Sequence, residues 1–111
     1  MPESKRTADS KRTTTPCDVT KAPKFMKDWE RLSRSGKHDL HRLKEAMLLL
    51  IANDGPLPAE WNDHELKGDS AGTRECHAKG DLLLTYQIDS YNGDSLITFL
   101  RAGTHSDLFG R

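Results

Sequence analysis

Apolar residues recur along this chain with two different periods, and the change from one to the other divides it. Phe25, Trp29 and Leu32 fall at i, i+4 and i+7, the spacing of one helix face, and Gly36 stands where a left-handed residue ends a helix. Leu40, Leu43, Met47, Leu50 and Ile51 form a second, longer stripe,. Asn53-Asp54-Gly55-Pro56 stops it and Pro58 keeps the chain extended,. An antiparallel helical hairpin is the expected result, preceded by a short strand at 17–20. From residue 73 the period becomes that of strands. Residues 73–78 predict a strand, Lys79-Gly80-Asp81 a tight turn, and 82–89 a second strand with Leu82, Leu84, Tyr86 and Ile88 on one face,. Asn92-Gly93 predicts a hairpin turn and 95–102 a third strand,. Thr104 followed by Asp107 has the form of a capping box, so 105–109 should begin a short helical turn,. Two helices followed by antiparallel strands make an α+β domain.

Residues 1–16 share neither period. They are polar, repeat SKRT loosely, and read as a disordered basic tail before one domain over 17–111,. Lys5, Arg6, Lys11 and Arg12 could touch RNA or the ribosome, although a solvated extension is the simpler reading of them,. The formal net charge is zero, but its distribution is not even. Residues 1–44 hold 12 Lys/Arg against 6 Asp/Glu, and residues 45–111 hold 5 against 11. Such a division within one small domain suggests a charged face for a polyanion. The longest apolar run, 46–52, suits a buried helix face and falls far short of the roughly 20 residues that span a bilayer,. No secretory signal core is present, and with only Cys17 and Cys76 a structural disulfide is not expected,. A reducing, cytoplasmic setting follows.

The chemistry-bearing residues gather in the second half. His64 lies in the loop WNDHELKG, His77 near the end of the strand RECHA before the turn carrying Asp81, and His105 just past the last strand. Loop tips and strand ends converge at a sheet edge, so residues distant in sequence can meet there. Arg101 lies four residues before His105, and Arg74 three before His77 on the opposite strand face,. Imidazoles, a carboxylate and guanidiniums suit RNA cleavage without a metal. The 2′-hydroxyl attacks its own phosphorus, which requires a base, an acid for the departing 5′-oxygen and cations for the phosphorane. Each residue also has a plainer reading: a surface histidine, a turn-forming Asp81, an Arg101 paired with an acid, a Phe109 in the core. Zinc is the competing chemistry, with Cys76, His64, His77 and His105 as possible ligands. Adjacent Cys76 and His77 would point to opposite faces, and only His38 and His41 show a ligand-like spacing,. No metal and no cofactor is expected.

Taken together, WNDHELKG, RECHAKGDLLLTY and RAGTHSDLFG resemble the YafQ-type branch of the RelE/ParE bacterial toxins, over about residues 19–110. The resemblance implies a RelE/ParE-like α+β fold, with a helical hairpin packed on a small antiparallel-rich sheet. It implies a type II toxin that acts as a ribosome-dependent endoribonuclease, an mRNA interferase that cuts messenger in the A site. It also implies a cognate antitoxin that wraps and neutralises the toxin. The family's site pattern falls on His64, His77, Asp81, Arg101, His105 and Phe109. His105 would be the general acid, His64 or Asp81 the base, and His77 would position RNA. Arg101 would stabilise the phosphorane, Phe109 would stack on a base, and Arg74 would be a further phosphate contact. One departure is Leu82, where the family usually has Trp after the aspartate, which puts stacking there in doubt. Two other readings stay open. One is a ParE-like toxin that binds a topoisomerase, for which histidine proton transfer has no use. The other is an inactive RNA- or antitoxin-binding homologue.

Overall fold

Pro23 sets the first helix in motion, because its fixed φ and missing N–H suit the first turn,. Helix α1 (Pro23–Ser35) ends at Gly36, whose φ of 69° is the left-handed cap predicted for it,. Helix α2 (Leu40–Ala52) begins at Asp39, whose carboxylate accepts the His41 N–H at 3.0 Å, and ends at left-handed Asn53,. In the computed structural model, residues 15–53, 55–68, 72–91 and 93–110 are described. The tail expected over 1–16 therefore lies, apart from Thr15 and Pro16, outside the described residues, as does Asn92 of the hairpin turn.

The strands are β1 (Asp18–Lys21), β2 (His64–Glu65), β3 (Arg74–Lys79), β4 (Leu82–Tyr91) and β5 (Asp94–Gly103). They form one sheet in the order β1-β5-β4-β3-β2, with β1 parallel to β5 and the other pairs antiparallel. Helix α3 (His105–Phe109) closes the chain behind the capping box predicted for it: Thr104 and Asp107 exchange side-chain and backbone bonds. The α+β architecture, the mostly antiparallel sheet and the short last helix agree with the sequence reading. Strand β1 starts one residue later than expected and β4 runs two residues longer.

The helices cover one face of the sheet. Phe25, Leu32, Leu43, Ala46 and Leu50 pack with Cys76, Leu84, Tyr86, Ile97, Phe99 and Ala102 in one core, and the Phe25 ring lies 5.7 Å from that of Phe99. Trp29, Leu40, Met47 and Ile51 border it. The apolar run 46–52 is not a wholly buried face, since Leu48 and Leu49 point outward. A helix can bury only one side of seven consecutive residues. Ile88 is also partly exposed, whereas Leu83, on the other face of β4, is fully buried.

The buried face of α1 holds one residue its apolar pattern conceals. Asp28 is 2% exposed. Its carboxylate accepts from Arg101 Nε at 2.7 Å and Nη2 at 3.1 Å, from the Ala102 N–H at 3.0 Å, and from Arg31 Nη1 at 2.9 Å. These partners sit beside an irregularity in β5. Thr85 pairs with Arg101 but Tyr86 with Phe99, which leaves Leu100 as an extra residue,. Just past this bulge the Arg101 side chain and the Ala102 N–H both reach Asp28, which fastens the stretch to α1.

Burial alone would raise the Asp28 carboxyl, but the bonds from Arg101, Ala102 and Arg31 outweigh it and hold the group below its ordinary 3.8,. The unfolded chain thus takes up the proton first. The stabilisation is complete above the ordinary value and drains away as pH falls through the lower folded one. Asp28→Asn should cost about 3 kcal/mol near neutral pH, because it leaves Arg101 without its partner. Urea unfolding from pH 7 down to pH ~3 should show the variant losing less stability to acid than the parent.

Candidate functional site

The face of the sheet away from the helices carries the residues that sequence pattern brought forward. Pairing across the strands generates the site. His64 on β2 stands opposite Glu75 on β3, Glu75 opposite Thr85 on β4, and Thr85 opposite Arg101 on β5. A neighbouring row runs His77, Leu83, Gly103. Glu75 and His77 are two apart on one strand and so share a face.

His64 and His77 meet over Glu75. His64 Nε2 is 3.4 Å and His77 Nε2 3.6 Å from the same oxygen, Glu75 Oε2, and the two rings are 6.1 Å apart. Glu75 is 4% exposed, and its other oxygen, Oε1, is buried with no hydrogen-bond partner. His64 Nδ1 lies 2.8 Å from the Asn62 carbonyl oxygen, so both its ring nitrogens face acceptors. Asn62 adds its side-chain Nδ2, 3.4 Å from His77 Nε2.

A second group assembles around α3. Asp81 Oδ1, from the β3–β4 turn, accepts the His105 backbone N–H at 3.3 Å. The rings of His105 and Phe109 lie 4.9 Å apart, and Phe109 is 42% exposed. Gly103 makes this close turn possible: its φ is 155°, and a Cβ there would come within 2.9 Å of Asp107, the capping residue. His77 and Gly103 occupy one row two strands apart, a separation of roughly 10 Å,. The histidine pair and His105 therefore flank the same end of the sheet.

The other expected site residues are placed differently. Arg101 lies in the His64 row, but its guanidinium is held by Asp28, and its side chain keeps 30% of its surface exposed. Arg74 falls on the helix-side face, opposite to His77 as alternation requires, and its Nη2 is 3.3 Å from Asp63,. Leu82, noted from sequence as a departure from the tryptophan usual at that position, is buried in the core and offers no stacking surface. Sequence reading missed Glu75 and Asp63. The signal for Glu75 was available, since i and i+2 on a strand share a face.

Of the zinc ligands considered from sequence, Cys76 belongs to the core, where burial pushes its thiol up to about 12. Glu75 takes its place beside the imidazoles. One ligand atom from each of His64, Glu75 and His77 lies within 4.8 Å of the others, a set that could hold a metal ion,. The arrangement can thus donate protons, accept them, and present positive charge to an anion.

Comparison with known proteins places this geometry in a family. Residues 17–110 match the model described as "Bacterial toxin of type II toxin-antitoxin system, YafQ". The chain is 39% identical over 93 residues to the mRNA interferase toxin YafQ of Escherichia coli K12, covering 84% of this chain and 96% of that protein. Among solved structures, the E. coli DinJ-YafQ toxin-antitoxin complex is similar with a TM-score of 0.74 and 36% identity, over 86% of this chain and 100% of the other. A metal-bound toxin from Helicobacter pylori is similar with a TM-score of 0.72 and 39% identity, over 84% and 99%. The chain belongs to the YafQ family of type II toxin-antitoxin toxins.

Proposed function

We propose that this protein is the toxin of a type II pair and an mRNA interferase, an endoribonuclease that cuts messenger in the ribosomal A site of the cytoplasm by attack of the RNA 2′-hydroxyl. A cognate antitoxin is its partner. The observation that carries this reading is the pair of imidazoles sharing one buried carboxylate, at the sheet end where His105 is also mounted. Phosphodiester cleavage needs proton transfer on two sides of one phosphorus, and these two groups supply both sides.

His64 is the base. With Nδ1–H donating to the Asn62 carbonyl, Nε2 keeps the lone pair that takes the 2′-OH proton, and the neighbouring Glu75 carboxylate stabilises the imidazolium that results,. Asp81, the other base considered, is already bound to the His105 N–H and serves to fix α3. His105 donates a proton to the leaving 5′-oxygen. His77 holds the phosphate. Arg101, anchored by Asp28 and partly exposed, supplies positive charge to the phosphorane,. Phe109 offers its exposed ring to a base,. Arg74, spent on Asp63, contributes no phosphate contact in this scheme.

His105→Ala should abolish message cleavage and growth arrest while leaving the melting temperature nearly unchanged, because the tie to Asp81 runs through the backbone N–H. Full toxicity of that variant contradicts the scheme. Arrest with intact messenger would instead point to a protein target, such as a topoisomerase.

The proposed proton transfers occur between side chains and RNA. Cleavage in a reconstituted translation reaction should therefore survive a zinc-selective chelator. Added zinc should suppress it by occupying the lone pairs of His64 and His77,. Loss of cleavage in the chelator, restored by zinc, would replace this mechanism with a metal-dependent one.

A further inference from the structure

His64 sits on a strand of two residues at the edge of the sheet. Two residues of ladder do not fix an edge strand by themselves, yet a catalytic His64 has to be held against Glu75 and His77 to about 0.5 Å. The preceding residue supplies the missing constraint. Asp63 and His64 are consecutive, so their side chains leave opposite faces of the chain. His64 reaches the site, whereas Asp63 reaches the helix-side face and there finds two partners. The buried Tyr86 hydroxyl, on β4, donates to Asp63 Oδ1 at 2.5 Å, and Arg74 Nη2, on β3, lies 3.3 Å from Oδ2. One carboxylate, 14% exposed, thereby pins the start of the edge strand to the next two strands of the sheet.

The chemistry suits an anchor. A hydroxyl donating to a carboxylate makes one of the shorter and stronger hydrogen bonds available to a protein. Tyr86 is a core residue, fully packed, with no freedom to follow a moving loop. Arg74 stands directly opposite Tyr86 in the ladder, so both donors are set by one register pair. Asn62, next to Asp63, in turn presents its carbonyl to His64 Nδ1 and its amide nitrogen to His77. The anchor therefore governs both sides of the imidazole pair.

We propose that Asp63, clamped by Tyr86 and Arg74, is a positioning residue that sets where His64 stands relative to Glu75 and His77. The proposal deepens the nuclease reading and rests on it for the catalytic consequence, but its structural consequence can be read without any RNA. It gives Arg74 a function within the protein, in place of a phosphate contact.

Tyr86→Phe removes a single hydroxyl and keeps the ring, and Asp63→Asn removes the charge. In either variant the His64 imidazole nitrogen and ring-proton NMR signals should shift and broaden, while those of His105 stay in place. The cleavage kcat should fall roughly 10- to 100-fold with KM little changed. A residue that only stabilises the fold would lower the melting temperature but leave the His64 signals and the rate per folded molecule unaltered, and that result overturns the proposal. If Tyr86→Phe does not fold, Arg74→Gln provides the same readout at the partly exposed end of the clamp, with the same expected and overturning results. If the unaltered protein cuts no RNA, the nuclease reading fails, and the His64 signals alone still decide the positioning claim.

Discussion

Buried carboxylates are costly unless cations or donors meet them, and this fold holds one at each end of a single line of groups across its sheet. The line runs His64, Glu75, Thr85, Arg101 by strand register and is closed by Asp28 from α1. At the Asp28 end the charge is fully met by Arg101, Arg31 and a backbone N–H. At the Glu75 end it is met by two imidazoles only, with one oxygen left unpaired. The first end holds the fold together. The second is left electrostatically unfinished, which marks it as the candidate for function,.

The two faces of the sheet divide the labour accordingly. The helix side carries the apolar core, the Asp28 fastening and the Asp63 clamp, and all of these restrain backbone. The other side carries the histidines. Alternation along β3 performs the division residue by residue: Arg74 and Cys76 turn inward, Glu75 and His77 outward,. The bulge at Leu100 lets β5 serve both sides, giving Arg101 to Asp28 and leading Gly103 into the turn that mounts His105.

Much of this was legible in the chain. The two stripes, the Gly36 cap, the hairpin strands and the Thr104–Asp107 box are local signals, and each produced the element predicted for it. The parallel pairing of β1 with β5 was not legible, because it joins residues far apart in sequence with no crossover pattern between them. Strand β2 was not legible either, since two residues show no periodicity. Within the site, His64 and His77 came together as convergent strand ends suggested. Glu75 escaped notice among charged neighbours, although its place two residues from His77 put it on the same face. Asp28 was hidden because an acidic residue on an apolar stripe looks like a surface position until its arginine is found.

The central claim is that the imidazole pair over Glu75 and the histidine on α3 act on two sides of one phosphodiester, with the RNA's own 2′-hydroxyl as nucleophile. The most direct measurement is the chemistry of the ends produced when the purified protein cuts a translated message, together with a message carrying a 2′-deoxynucleotide at the cleavage position. The account predicts a 5′-hydroxyl on one fragment, a 2′,3′-cyclic phosphate or the 3′-phosphate derived from it on the other, and no cleavage of the deoxy message. A 5′-phosphate with a 3′-hydroxyl, or cleavage at the deoxy position, would contradict it.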